Sequence, residues 1–367
     1  MKIEETILNN LNIEYPLESL APVENILFLD IETTGFLSGS SSIYMIGTAF
    51  FDGENWCVKQ FFASDNDEEA TLLETFLDFA KNYKFLVHFN GNTFDLPFIN
   101  AKAQKYGITN TIANLRGIDI YKRIAPYKSL LKLPDCKQKT VEKFMGINRE
   151  DEFSGGELIQ VYQEYLSTHS YELYQTLLLH NSDDMKGMLE VVSVLSYSEL
   201  FNKPLKATRV SANYYKDMNG LDRSELVIEI SLPGVLPRPV SFMGQGCHFK
   251  GEGQTGTLIV PIYEEELKYF YANYKDYYYL PLEDVALHKS IASYVDKEFR
   301  EDAKKENCYT RKMGSFLPQW AVLVSPFYKR DYLSEDLFFE LTDEVKKNRE
   351  LFNQYASHVL NKIAFQK

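Results

Sequence analysis

The sequence has little that would tie it to an oxidising compartment, a zinc ribbon or a membrane. Its four cysteines, Cys57, Cys136, Cys247 and Cys308, are widely scattered and form no C-x-x-C pair, which argues against a disulfide framework. Cys247 stands beside His248, but a buried thiol next to an ordinary histidine is the simpler reading. The first residues, Met1-Lys2-Ile3-Glu4-Glu5, carry acid where a signal peptide needs positive charge. No apolar run approaches the length of a membrane span, so a cytoplasmic protein is expected. Repeats and low-complexity segments are lacking as well. So is positive charge: the net of −13 argues against non-specific polyanion binding over the whole surface.

What is present suits a globular chain of two domains. Its 367 residues are 45% hydrophobic and 25% charged, enough for a substantial core in each half. Charge is unevenly spread. Residues 1–200 hold 16 Lys+Arg and 29 Asp+Glu, whereas residues 201–367 hold 23 of each. Within the acidic half, residues 116–143 carry eight basic residues against three acids, a stripe that fits phosphate contact or an ordinary solvated helix face.

The first half reads as an α/β layer. Residues 1–20 form an amphipathic lead-in. Ile26 to Glu32 is a buried strand that ends in the turn Thr33-Thr34-Gly35, Ile43 to Phe51 a second, and Trp56 to Phe62 a third across the hairpin turn Asp52-Gly53-Glu54-Asn55. Residues 67–80 then have a helical period, Phe85 to Phe89 is a short strand, and Phe94 to Tyr106 is a helix closed by Gly107. A strand is expected over 115–120 and a long helix over 171–197. Strands that follow helices add in parallel to the opening antiparallel meander.

A boundary is expected near Asn202-Lys203-Pro204. Beyond it, strands are expected at 226–232, 256–263 and 321–325, helices at 282–306 and 337–363, and irregular chain at 308–320. The stretch 266–280 is rich in tyrosine, which suits core and interface packing more often than base stacking.

Three short patterns carry the chemistry. In Asp30-Ile31-Glu32-Thr33-Thr34-Gly35 two carboxylates at spacing two leave a strand on the same face, a costly arrangement without a neutralising cation. In Asn90-Gly91-Asn92-Thr93-Phe94-Asp95, an acid sits at the first turn of a helix just after a strand end. His180 and Asp184 share a helix face at i and i+4, among Leu177, Leu178, Leu179, Met185 and Met188. Singly, each has an ordinary explanation as a wet strand face, a first-turn acid or a surface pair. Asp183 points about 100° away from Asp184, and Asp119, at a strand end, reads as structural.

In this order the three patterns closely resemble the exonuclease motifs of the DEDD (DnaQ-like) superfamily of 3′-5′ exonucleases. The nearest likeness is to the bacterial YprB-like ribonuclease H-like group, whose texture also appears in Ser129 to Leu133 and Thr140 to Arg149. The resemblance covers roughly residues 24–196. It implies a ribonuclease H-like mixed sheet flanked by helices in a domain 1–200. Residues 201–367 would form an α+β domain of unrecognised fold, a candidate nucleic-acid contact.

It also implies that Asp30, Glu32, Asp95 and Asp184 hold two divalent ions, Mg²⁺ or Mn²⁺ by the hardness of carboxylate oxygen. Such a pair hydrolyses phosphodiester bonds of DNA or RNA by in-line displacement. By the same resemblance Asp30 bridges both ions, Glu32 and Asp184 complete the nucleophile site, and Asp95 holds the second ion through water. His180 would orient or deprotonate the attacking water. One departure stands out: the histidine branch of that superfamily places its histidine five residues before the aspartate. Here the gap is four, the spacing of the tyrosine branch. The alternative is a nucleic-acid-binding module that keeps the fold with little turnover.

Overall fold

Strand β2 (Ile26–Thr33) opens on the continuous apolar run Ile26 to Leu29 and is buried along almost its whole length, so both faces of the sheet are covered and its alternating side chains enter two layers. In the computed structural model, which describes residues 1–149 and 155–365, the chain divides into two compact units. The first comprises residues 1–199 and 234–238; the second comprises 200–233 and 239–367.

The first unit is built on a six-stranded sheet in the order β1-β4-β3-β2-β5-β6, with β1 (Lys2–Ile7), β3 (Ile43–Phe51), β4 (Trp56–Phe62), β5 (Phe85–His88) and β6 (Arg116–Asp119). β2 pairs antiparallel with β3 and parallel with β5, and β5 runs parallel to β6. The mixed sheet expected from the sequence is therefore present. Within the lead-in, to which the sequence assigned no strand, residues 2–7 are an edge strand paired with β4. Its side chains are all exposed, so no burial pattern marked it.

Leu27, Leu29 and Ile31 of β2 pack with Leu72, Leu73, Phe76 and Leu77 of α1 (Glu69–Ala80) and with Phe98 and Ile99 of α2 (Asp95–Tyr106). The opposite face of the sheet carries Tyr44 and Phe62. These meet Leu158, Tyr162 and Tyr165 of α5 (Gly155–Thr168) and Leu177 and Leu178 of α6 (Tyr171–Val191). Tyr44 stacks on Tyr162 with ring centroids 4.1 Å apart. Each of these fully buried side chains contributes about 1.5–3 kcal/mol relative to exposure. The period of two sends Asp30 and Glu32 away from Ile31, onto the α6 face. Short helices α3 (Ile120–Ile124) and α4 (Gln138–Met145) lie between β6 and α5, and α7 (Leu195–Asn202) follows α6. Among the described residues no helix is long and apolar enough to cross a membrane.

The second unit holds a five-stranded sheet in the order β14-β13-β9-β8-β7, with β7 (Lys206–Lys216), β8 (Asp222–Gly244), β9 (Cys247–Phe270), β13 (Tyr309–Gln319) and β14 (Leu337–Glu340). A small sheet, β11-β10-β12, is formed by β10 (Tyr277–Leu280), β11 (Val285–His288) and β12 (Glu301–Asp302). Helices α8 (Lys289–Ala292), α9 (Asp343–Lys347) and α10 (Arg349–Ala364) complete it.

Here the sequence reading fails in several places. Residues 282–306 are two short strands, a four-residue helix and one 3-10 turn, not a continuous helix; their Lys and Glu content resembles that of a helix, but pairing with β10 decides. Residues 309–319 form a long strand rather than irregular chain. Pro318 lies beyond the pairing of β13 with β9, where the missing N–H costs no ladder bond on that side. Residues 321–325 are not a strand, because the Gln319 side chain accepts from the N–H groups of Leu323 and Val324, each at 2.9 Å. Residues 337–340 are strand, and only 349–364 make the long final helix. The tyrosines pack on one another: Tyr271 stacks on Tyr277 with centroids 4.5 Å apart, and Tyr269 meets Tyr271 edge-on.

Candidate active site

Glu32, His180 and Asp184 converge, and their ligand atoms all lie within 4.8 Å of one another. Glu32 arrives from the end of β2. His180 and Asp184 arrive from one face of α6, whose start is capped by Ser170 accepting from the Leu173 N–H. His180 is only 3% exposed, so it is not a surface residue. Its Nε2 stands 3.0 Å from Asp184 Oδ2 and 3.5 Å from Glu32 Oε1, between the two carboxylates. The Tyr44 hydroxyl donates to the other Glu32 oxygen at 3.5 Å.

Asp30 and Asp95 stand outside this trio of atoms but within its field. Asp95 opens α2, and its Oδ1 accepts the Ile31 N–H at 3.1 Å, so it grips the strand between Asp30 and Glu32. Asp30 is joined to α6 through Asn181, whose amide donates to it at 3.3 Å. Asn181 is oriented in turn by Gln60 of β4, which donates to its Oδ1 at 3.0 Å and to the Leu178 carbonyl at 2.8 Å. Gly47 makes room for this bridge, because a Cβ there would lie 2.1 Å from Asn181 Oδ1. Gly47 is also the cross-strand partner of Asp30.

The electrostatics follow from burial and crowding. Burial pushes Asp30 well above the usual carboxylate range, the charges of Asp184, Asp95 and Glu32 add to that, and Arg149 opposes it. Glu32 is pushed up to about 8, mainly by burial; His180 draws it down, while Asp184 and Asp95 push it further up. Asp95 rises to about 7, again chiefly through burial. Asp184 is the exception. Burial raises it, but the hydrogen bond and charge of His180 and the Arg149 guanidinium together carry it below its ordinary value.

Acids that resist ionising when they face only one another suit a group that brings positive charge. The donor set of carboxylate oxygens, with one imidazole among them, fits a hard divalent cation such as Mg²⁺ or Mn²⁺. Glu32 and Asp184 would hold it, with Asp30 and Asp95 bordering the same space.

Asp119 has a structural role. Its Oδ1 accepts from the Asn90 N–H at 2.9 Å and from the Lys122 N–H at 3.3 Å, so it caps α3 and fixes the turn leading to Asp95. Several residues escaped the motif reading: Asn181, Gln60, Gly47, Tyr44, Arg149 and Glu142. Gly47 carried a signal, as a glycine inside an otherwise apolar strand marks a close approach, and Glu142 and Arg149 lie in the stretch Thr140 to Arg149 that carried the family likeness without a role. The basic stripe is a surface feature: Lys122, Arg123, Lys128, Lys132, Lys137, Lys139 and Lys143 are all exposed.

Residues 27–196 match a family model described as the RNase H superfamily. None of the curated proteins matches the chain. Among solved structures, it is similar to the family B DNA polymerase of the hyperthermophilic archaeon Pyrobaculum calidifontis, with 12% identity and a TM-score of 0.39, over 67% of this chain and 34% of that one. It is also similar to E. coli exonuclease I in complex with a dT13 oligonucleotide, with 11% identity and a TM-score of 0.29, over 56% of this chain and 54% of that one. The chain thus spans about a third of the polymerase and about half of the exonuclease.

Proposed function

Residues 27–196 are a ribonuclease H-like domain, and on that premise we propose that this protein is a divalent-metal-dependent 3′-5′ exonuclease acting on DNA or RNA. The observation that carries the reading is the meeting of buried Glu32 and His180 with half-buried Asp184 in one group, with Asp30 and Asp95 beside it. When bound, a pair of Mg²⁺ or Mn²⁺ ions would activate water and stabilise the leaving 3′-oxygen.

The chain's own residues have distinct parts in this reading. The carboxylates of Asp30, Glu32, Asp95 and Asp184 supply the negative charge that draws cations to the end of β2. His180 would hold or pass a proton for the attacking water, a role supported by the reach of its Nε2 to both Glu32 and Asp184. Asn181 and Gln60 keep Asp30 turned towards α6. The exposed lysines of 122–143 provide positive charge for a phosphate backbone on an otherwise acidic half.

The test is digestion of matched 3′- and 5′-labelled DNA and RNA oligonucleotides with Mn²⁺. Nucleoside monophosphates should be released from the 3′ end, and Asp30→Asn and Asp184→Asn should each abolish release. Undiminished digestion by both variants would overturn the assignment. Oligonucleotide binding without product in Mg²⁺ or Mn²⁺ would instead favour the binding-module reading.

A further inference from the structure

Asp184 divides its two oxygens between different partners. Oδ2 turns into the group with Glu32 and His180. Oδ1 turns away and receives a hydrogen bond from Nη2 of Arg149. That arginine comes from the loop after α4, not from any of the three motifs, and its side chain is only 10% exposed.

Arg149 is itself held. Its Nη1 donates to both oxygens of Glu142, at 3.1 and 2.9 Å. Glu142 is 1% exposed and also accepts from Gln138 Nε2 at 2.9 Å. The same Gln138 nitrogen reaches the Asp184 backbone carbonyl at 2.8 Å. Gln138 and Glu142 are one turn apart on α4, so that helix addresses Asp184 twice: through its backbone by Gln138, and through its carboxylate by Glu142 and Arg149. α6 is cut away to receive them, because a Cβ on Gly187 would lie 2.2 Å from Glu142 Oε1.

A buried ion pair is an expensive way merely to tie two helices together, since packed apolar residues of similar volume do so as well or better. This one ends on a carboxylate of the candidate site and leaves the carboxylate's other oxygen facing that site. From this geometry we infer that Arg149 is a positioning residue: anchored by Glu142 and Gln138, it fixes the rotation of the Asp184 carboxylate so that Oδ2 is presented to a divalent ion. The inference rests on the nuclease reading above and adds a residue to it. Hydrogen-bonded partners behind metal-binding carboxylates commonly govern affinity by about 10–100-fold.

The full-length protein is titrated with Mn²⁺ alone by calorimetry, with thermal unfolding of the metal-free protein measured alongside. Arg149→Gln should bind Mn²⁺ about 10–100-fold more weakly than wild type. Arg149→Lys keeps the charge but loses the two-pronged contact, and should fall between them. In cleavage assays, raising Mn²⁺ should restore turnover of Arg149→Gln, with KM for the oligonucleotide unchanged. Affinity within about twofold of wild type, or tighter binding through removal of a competing cation, would overturn the inference. Should Arg149→Gln fail to fold, Arg149→Lys decides: weakened Mn²⁺ binding with an unchanged unfolding temperature supports the role, and unchanged binding rejects it. Wild-type protein that binds no Mn²⁺ overturns the nuclease reading together with this inference. Wild-type binding matched by Arg149→Gln leaves the nuclease reading standing and removes only Arg149.

Discussion

At the scale of the residue, the site is a set of acids held where ionisation is unfavourable. Glu32 and Asp95 keep their protons up to about 8 and about 7, mainly because they are buried. In the unfolded chain both titrate near about 4. The folded state therefore holds protons that the unfolded chain releases between these values. The stability they confer is full below about pH 4 and is lost as pH rises through 7 and 8. Asp184 has the opposite sign, its contribution being lost as pH falls below its ordinary range. The unfolding temperature of EDTA-treated protein should thus decline from about pH 5 to 8, and Mn²⁺ should reverse the decline. Metal binding at pH 7 should also release protons, seen as a dependence of calorimetric heat on the buffer's ionisation enthalpy. A second residue-scale prediction concerns Gly47. Gly47→Ala drives a Cβ into Asn181 and should cost about 1–3 kcal/mol in chemical denaturation, while lowering cleavage by releasing Asp30.

At the scale of the element, helices α1 and α2 are locked to β3 by one buried acid. Glu69 accepts the Ile43 N–H at 2.7 Å and the Tyr106 hydroxyl at 2.5 Å, and Lys102 Nζ stands 3.3 Å away. Lys102 also donates to the Ser41 carbonyl, tying α2 to the loop before β3. Both charged side chains are 2% exposed, so removing one strands the other. Lys102→Ala should cost about 3–5 kcal/mol in urea denaturation. Lys105 reaches the same carboxylate from an exposed position, and its replacement by alanine should leave the urea midpoint almost unchanged. Elements also mark where sequence pattern sufficed. β2, β3 and β4 are near-continuous apolar runs of strand length, and α1 and α2 repeat a period of 3.6 over a buried face, so their residues declare them. β1 and β12 have no buried face, and β13 carries Gly314 and Pro318. Their existence depends on distant partners.

At the scale of the molecule, the division after Glu199 is not a clean cut, because residues 234–238 return to the first unit. There the Tyr197 hydroxyl donates to the Arg238 carbonyl at 3.0 Å and accepts its N–H at 3.1 Å, and the Arg238 guanidinium reaches the Phe144 carbonyl. Tyr197 is buried in the full chain, and a chain ending at Glu199 would lose both partners of its hydroxyl and part of its cover. That fragment should unfold at a lower temperature than the first unit within the full chain, by an amount consistent with about 1–3 kcal/mol. Differential scanning calorimetry of the two proteins checks this.

Taken by itself, the sequence determined the mixed sheet of the first half and the identity of its acids. Hydrophobic period is a local property, and Asp30, Glu32, Asp95, His180 and Asp184 each sit in a short pattern readable without a partner. Only the tertiary structure decided that His180 lies between Glu32 and Asp184 rather than at the surface. It alone decided that Asn181 bridges to Asp30 across the space left by Gly47, and that Arg149 turns one oxygen of Asp184 away. These contacts join residues dozens of positions apart, through polar side chains whose spacing follows no period. The second half shows the same limit, since its strands and packed tyrosines are specified by their neighbours in space rather than in the chain.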